Sequence, residues 1–432
     1  MNNIFFYEDK NFSQNFTEFL KKRQQKNTEI TGVVEKVIED VKINRDTAVI
    51  KYTKKFDNID LRSAGIFFQQ NEIEKNVAKI PLLDRKAIDL SIARIMDFHK
   101  KQMPKNFSWK DELGIELGWE WKPIDRVGVY VPGGKASYPS SAIMNIVPAR
   151  VAGVDDIVLA SPTPDGTFNP LMLYASTVLN IGKIMRVGGA QAIAALAFGT
   201  DTIEKVDKIT GPGNEYVAEA KRQVFGRVGI DAVAGPSEVL LISDTTMPEK
   251  LAAIDLLAQA EHDQNAQSIL ITNDREYALK VETEIENYLK NLKRREVAEL
   301  SWRNFGAIVI VPDFKKAIKV SNLIAPEHLQ LCFADAENYL GQIKNAGSIF
   351  LGLWSPEALG DYITGSNHVL PTNGTAKFSS SLSVFDFMKR VAITKVNKNG
   401  FKKLGPAVVR LANSEGLQAH SLSVSERLKD FE

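Results

Sequence analysis

Between Arg126 and Leu351 short apolar runs recur at near-regular spacing, each followed by a stretch with helical patterning, and this alternation limits the fold more than any other feature. The first five runs are Val127–Val131, Ile157–Ala160, Ile184–Val187, Val206–Ile209 and Gly229–Val233. The next five are Val239–Ser243, Ser268–Thr272, Ala307–Val311, Leu329–Phe333 and Ser348–Leu351. A strand that is followed by a helix before the next strand returns parallel to its neighbour, with helices covering both sheet faces. The expected class is therefore α/β, with two consecutive Rossmann-like parallel-sheet units of five strands. A common origin of the two units would require them to share a strand order.

The flanks read differently. Residues 1 to about 105 are mainly helical, because Glu29 to Phe56 and Asn71 to Met103 carry apolar residues three and four apart among charges. His99, set among charges in DFHKKQM, is expected on an exposed helix surface. From Phe107 to Pro123 short alternation predicts a hairpin or sheet edge. After Gly352 comes a Gly/Ser/Thr/Asn-rich connection, of a length that is usually functional or linking. From Leu382 onward a short helix, a strand (Val391–Val396) and two helices form a unit of about fifty residues. That is too small for a core of its own, so it should pack on another domain or another chain. The expected organisation is an N-terminal arm (1–25), a discontinuous α/β domain (26–126 with 238–380), a second α/β domain (127–237) and a small C-terminal unit (381–432).

With 54 basic and 53 acidic side chains the formal charge is +1, which leaves no footprint for nucleic acid or an anionic membrane. The N-terminus lacks the basic and apolar regions of a secretory signal, and no apolar run is long enough to span a bilayer, so a cytoplasmic location is expected. A single cysteine, Cys332, excludes an intrachain disulfide and a cysteine-based zinc site; a zinc ion would need His, Asp, Glu or amide oxygen.

Several residues could carry chemistry. Three glycine turns follow strands of the first unit: Tyr130-Val131-Pro132-Gly133-Gly134, with Ser140 as a possible helix cap; Gly188-Gly189, ahead of Gln191; and Thr210-Gly211-Pro212-Gly213-Asn214. Such turns let a phosphate approach the backbone, yet each is equally a plain helix start. The third begins like a dinucleotide fingerprint but has Tyr216 where a small residue is needed, so the fingerprint is incomplete. In the stretch from Ile230 to His262 a Gly-Pro-Ser-Glu turn leads through a strand to a helix ending on Gln259, Glu261, His262 and Asp263. Gln259 and His262, three apart, share a helix face and could hold one ion; a solvated C-terminal turn has the same look. Glu327-His328 offers a carboxylate able to activate water beside an imidazole able to take a hydroxyl proton, or simply closes a loop. Cys332 lies in the apolar run LQLCF and reads as a small buried hydrophobe rather than a nucleophile.

The run from AGPSE through QAEH resembles the signature of the histidinol dehydrogenase family, and the likeness extends from about Arg126 to His420. The resemblance implies a zinc- and NAD-dependent enzyme that converts L-histidinol to L-histidine in two oxidations through an aldehyde. It places NAD, and hence the cofactor domain, on Tyr130, Gln191 and Asn214 within 127–237. It places one zinc ion per subunit on Gln259, His262, Asp361 and His420, with manganese or cobalt as possible substitutes. His328 would be the base, Glu327 the water activator and Ser237 a substrate contact. Gln259, His262, His328, Asp361, Glu415 and His420 would also touch substrate, and His368 would support the metal site. Glu415 and His420 would come from the partner subunit, which implies a homodimer with composite active sites. On one continuous helix these two residues would diverge, so Gly416 is expected to interrupt it. The alternatives are a related zinc- and NAD-dependent dehydrogenase of another small alcohol, and a zinc hydrolase or non-catalytic binding protein.

Overall fold

The computed structural model describes residues 3–24, 28–133, 138–233 and 235–429, which leaves Gly134 and Ala234, two residues of the turns singled out above, outside the described residues. In chain order the strands are β1 (Ile4–Phe6), β2 (Phe107–Lys110), β3 (Glu116–Pro123), β4 (Arg126–Tyr130), β5 (Asp156–Ala160), β6 (Lys183–Met185), β7 (Lys208–Thr210), β8 (Gly229–Ile230), β9 (Glu238–Ser243), β10 (Gln267–Thr272), β11 (Ala307–Ile310), β12 (His328–Cys332), β13 (Ser348–Leu351) and β14 (Met388–Lys395). The chain divides into two units, Met1–Gln102 with Asp125–Phe387, and Met103–Ile124 with Met388–Glu432.

The larger unit holds two parallel sheets. One runs β6-β5-β4-β7-β8 and the other β1-β11-β10-β9-β12-β13. Counted from β4 in the first sheet and β9 in the second, both follow the order third, second, first, fourth, fifth, which is what a common origin requires. The sixth strand, β1, was not expected, since three residues carry no periodicity. It pairs in parallel with β11, and Phe5 packs edge-on against Phe16 at 5.2 Å, so the helix Phe12–Lys21 lies on one face of that sheet.

The apolar runs are strands because both sheet faces are covered. Along β9, Leu240 and Ile242 enter one core with Phe12, Phe16 and Phe19, whereas Val239 and Leu241 enter another with the helices Glu249–Ala260 and Arg275–Leu289. The helix Thr28–Asp57 packs on the helices Gly189–Phe198 and Glu215–Val224 of the five-stranded sheet, and Leu82–Lys100 packs on Pro139–Ala152 and Pro170–Val178. The helices Thr28–Asp57 and Leu82–Lys100 therefore cover the five-stranded sheet, whereas the expectation grouped 26–126 with 238–380. Amphipathic patterning shows which face is buried but not what it is buried against.

His99 corrects the expectation of an exposed residue. In the helix Leu82–Lys100 the buried positions are Ile88, Ser91, Ile92, Ile95 and His99, so the histidine continues the apolar stripe. Its Nδ1 lies 2.8 Å from Gln102 Oε1 and its Nε2 3.3 Å from Asn367 Nδ2, and burial lowers its pKa. Cys332 is buried in β12, as expected.

The smaller unit is an antiparallel sheet, β14-β3-β2, followed by the helices Lys398–Ser414 and Gln418–Leu428. The β2–β3 hairpin forms as expected, yet it belongs here and not in the first α/β domain, because β14 pairs along all of β3 from Met388 opposite Pro123 to Lys395 opposite Glu116. A partner that distant in sequence leaves no local trace. Gly416, at φ 72°, interrupts the helix between Glu415 and Gln418 as expected. Glu415 closes the preceding helix, however, and does not stand at the start of the following one. Among the described residues, no helix is long and apolar enough to cross a membrane.

Candidate active site

At the carboxyl edge of the five-stranded sheet the glycine turns lie against one another. Tyr130, the last residue of β4, is buried, and its hydroxyl accepts a hydrogen bond from the Gly189 N–H at 3.1 Å. Burial pushes its pKa up. Gly211 follows β7 at φ 113°, where an added Cβ would lie 1.9 Å from the Tyr130 carbonyl oxygen; only glycine allows this approach. The turn is held on both sides, since Gly211 N–H donates to Asp231 Oδ2 at 2.8 Å and Lys221 Nζ donates to Gly211 O at 2.9 Å. Lys221 and Asp231 are themselves a buried ion pair.

Asn214 is exposed and caps the helix Glu215–Val224, its side-chain oxygen accepting from Val217 N at 3.1 Å. Gln191 is buried in the first turn of Gly189–Phe198. Ser140 is not a cap, because Pro139 opens the helix Pro139–Ala152 and Tyr138 takes the cap position. Close by, burial raises the Asp57 carboxyl to about 6, and the Asp57 Oδ2 has no hydrogen-bond partner among the described residues.

The second group lies at the opposite, amino edge of the six-stranded sheet. His328 opens β12 and, like Glu327, is buried. Its Nδ1 is 2.9 Å from the carbonyl oxygen of Glu238, the residue that opens β9. The Glu238 N–H donates to Glu327 Oε2 at 2.8 Å, and the Glu327 N–H returns to Glu238 Oε2 at 3.3 Å. Ser237 precedes this pair, its carbonyl accepting from Gln267 N at 2.9 Å.

The helix Glu357–Tyr362 brings two more carboxylates. Glu357 Oε1 is 3.8 Å from His328 Nδ1, and Asp361 Oδ1 is 3.6 Å from His328 Nε2. One ligand atom from each of His328, Glu357 and Asp361 lies within 4.8 Å of the others. His368 Nδ1 is 2.9 Å from the Asp361 carbonyl oxygen. Burial alone would lower the His328 pKa, but Glu357, Glu327 and Asp361 hold it well above its ordinary value. Burial pushes Glu327 and Glu357 up to about 8. Burial likewise lowers His262 and His368, partly opposed in both by the Asp361 carboxylate.

Gln259 lies near the end of Glu249–Ala260, fully buried, and neither amide atom has a hydrogen-bond partner among the described residues. A buried amide with both ends unsatisfied is costly unless a ligand or ion completes it. His262 follows one turn later, its N–H bonded to Gln259 O at 3.1 Å, and its imidazole lies close enough to Asp361 and His328 to feel their charges. The two groups of residues adjoin. Asn367 Nδ2 donates to Met144 O at 2.6 Å in the helix that follows the first glycine turn, and Tyr138 is among the groups that raise Tyr362, after burial and Asp361.

The sequence model of the histidinol dehydrogenase family matches residues 20–428. A histidinol dehydrogenase of Cereibacter sphaeroides is 50% identical over 417 residues, 96% of each chain. One of Brucella abortus is 50% identical over 420 residues, 97% of this chain and 98% of the relative. The crystal structure of histidinol dehydrogenase from Elizabethkingia anophelis superposes with a TM-score of 0.94 at 38% identity, covering 99% of this chain and 98% of that one.

The chain belongs to the histidinol dehydrogenase family. It is accordingly an NAD-dependent oxidoreductase of a small-molecule substrate. Of the residues that the resemblance singled out, the larger unit gathers Ser237, Glu327, His328, Asp361 and His368, with Gln259 near the end of a helix packed against Glu357–Tyr362 and His262 in the turn just past that helix, which stops at Ala260. Glu415 and His420 belong to the smaller unit and are exposed. Sequence reasoning missed Glu357, Glu238 and Arg23, whose guanidinium donates to Glu238 Oε1 at 3.0 Å. Glu238 was in view as the last residue of AGPSE, but its role depends on β9 pairing with β12. Glu357 stands four residues before Asp361, a spacing that puts both on one helix face.

Proposed function

We propose that the protein oxidises L-histidinol to L-histidine through histidinaldehyde, consuming two NAD+ and one water and releasing two NADH and three protons. The observation that carries this reading is the pairing of His328 with Glu327 inside a buried, carboxylate-rich cluster of side chains, in a chain that matches histidinol dehydrogenases over nearly all its length. NAD, when bound, supplies the two-electron acceptor for hydride from the carbinol carbon. Tyr130, Gln191 and Asn214 would hold it against the glycine turns.

His328 can take the hydroxyl proton on Nε2, since its Nδ1 faces the Glu238 carbonyl. Once its first proton has passed to solvent, His328 is free to act again: Glu327, ionised above about pH 8, takes a proton from the water that adds to the aldehyde, and His328 takes the hydroxyl proton of the resulting diol for the second oxidation. Ser237 contacts the substrate.

The unsatisfied amide of Gln259, the imidazole of His262 and the carboxylate of Asp361 fit one zinc ion per subunit. Manganese or cobalt suits the same oxygen and nitrogen donors. Zinc there would supply a positive centre that orients the substrate's amine and imidazole. A cation beside Asp361 also favours the neutral form of His328, as a base requires. His368 supports Asp361 from behind.

We further infer a homodimer in which the partner subunit's Glu415 and the partner subunit's His420 complete the site. The smaller unit exposes Leu404, Val408 and Leu411 at helical spacing, an apolar stripe of the kind a second copy would cover. The test is NADH formed per L-histidinol consumed, with chelator and with zinc restored. Two equivalents, lost on chelation and regained with zinc, support the reading; one equivalent would remove Glu327 from its role, and none would remove the reaction.

A further inference from the structure

We propose that Arg23 and Glu238 are positioning residues that fix the Glu327–His328 pair for aldehyde oxidation, an inference that rests on that pair being catalytic. Glu238 touches the pair through three separate groups: its N–H donates to the Glu327 carboxylate, its carboxylate accepts from the Glu327 N–H, and its carbonyl faces His328 Nδ1. Its other carboxylate oxygen accepts from Asn373 N at 2.9 Å and from Arg23 Nη1 at 3.0 Å. No polar group of Glu238 is left over, and none is given to solvent.

Arg23 arrives from the opposite end of the chain, on the short turn Lys22–Gln24 after the first helix, and its side chain is only 3% exposed. Its guanidinium also donates to Gln267 Oε1 at 3.1 Å, to Pro236 O at 2.7 Å and, through Nε, to Asn265 O at 3.1 Å. It thus grips the backbone just before Ser237 as well as the Glu238 side chain. A planar fork serves four acceptors at fixed angles, which an ammonium cannot do.

A buried ion pair adds little to stability compared with an apolar pair of similar volume. The return here is orientational. The Arg23 fork fixes Glu238, and Glu238 fixes the direction of the Glu327 carboxylate and the face that His328 turns to the pocket. The N-terminal segment becomes part of the catalytic apparatus without touching substrate.

The test uses the full-length, zinc-loaded enzyme and measures the two oxidations separately, with L-histidinol and with supplied L-histidinaldehyde. R23K keeps the charge but lacks the fork, so it retains the ion pair and the fold. R23M removes the charge, and R23M/E238Q removes both charges where R23M alone fails to fold. The aldehyde step is expected to lose about 10- to 100-fold in kcat in R23M or the double variant, and less in R23K, the loss typical of a slightly misplaced catalytic group. KM for NAD and zinc content should stay at wild-type values, a split that general destabilisation would not give. E327Q is the control. An impaired E327Q beside an R23K and a double variant that keep the wild-type aldehyde rate overturns this inference alone. An unimpaired E327Q overturns the catalytic-pair reading and this inference with it.

Discussion

His328 Nδ1 lies 2.9 Å from the carbonyl oxygen of Glu238, a contact that puts the proton of the neutral ring on Nδ1 and leaves Nε2 as the acceptor facing Asp361. The base proposed above therefore has one nitrogen with which to act. Replacing His328 with Asn keeps a donor able to bond Glu238 but removes the proton acceptor, so both oxidations should slow by about 10²- to 10⁴-fold. Single-turnover NADH formation from the alcohol and from the aldehyde would show it. Slowing of one step only would mean that His328 is not the shared base.

The buried carboxyls predict an unusual dependence of stability on pH. Glu327 and Glu357 are each pushed from 4.5 to about 8, chiefly by burial. In the unfolded chain they release their protons near the lower value; folded, they keep them to the higher one. Between the two the native state binds more protons, so stability is fully present below the unfolded value and is lost as pH rises through about 8. His328, also raised, acts in the same direction. Denaturation midpoints of zinc-free protein should therefore fall between about pH 5 and about pH 8, and Glu357→Gln should flatten that fall. An unchanged slope in the variant would show that Glu357 does not hold its proton.

The two parallel sheets were legible because strands buried on both faces are written as continuous apolar runs, and β9 and β10 are buried at every position. What a strand or helix packs against was not legible: β14 beside β3, Thr28–Asp57 on the five-stranded sheet, and β1 at an edge all depend on partners far along the chain. The same limit governs the site. Gln259 and His262 were visible as a helical pair, and Glu327-His328 as neighbours. Glu238 emerges only once β9 and β12 lie side by side, and His99 looked exposed because its flanking charges hid the stripe it shares with Ile88, Ile92 and Ile95. The residues proposed to hold NAD lie at the carboxyl ends of their strands, where parallel sheets commonly bind ligands, yet the Glu327–His328 pair lies at the amino ends of the other sheet.

Tyr130→Phe tests the cofactor edge. The change leaves the ring in place and removes the acceptor of the Gly189 N–H. A hydrogen bond of this kind contributes about 1 kcal/mol, roughly fivefold in affinity. KM for NAD should rise by about that factor in both oxidations while KM for L-histidinol is unchanged. A rise in the alcohol KM alone would place the tyrosine on the substrate side.

Gln259 allows a prediction in which stability and ligand binding move in opposite directions. Its amide is fully buried, and neither end has a partner among the described residues. An unpaired buried polar group costs about 1–3 kcal/mol, a penalty that an ion bound through the amide oxygen would partly relieve. Gln259→Leu, similar in volume and apolar, removes the penalty and the donor together. After chelation the variant should melt above chelated wild type, by several degrees for about 1–3 kcal/mol. On adding zinc, wild type should gain stability as RT ln(1 + [L]/Kd) requires, whereas the variant should gain much less, so that the order of melting temperatures reverses. A leucine variant that melts below wild type after chelation, and then gains as much from zinc, would show that the buried amide serves the fold and not the metal.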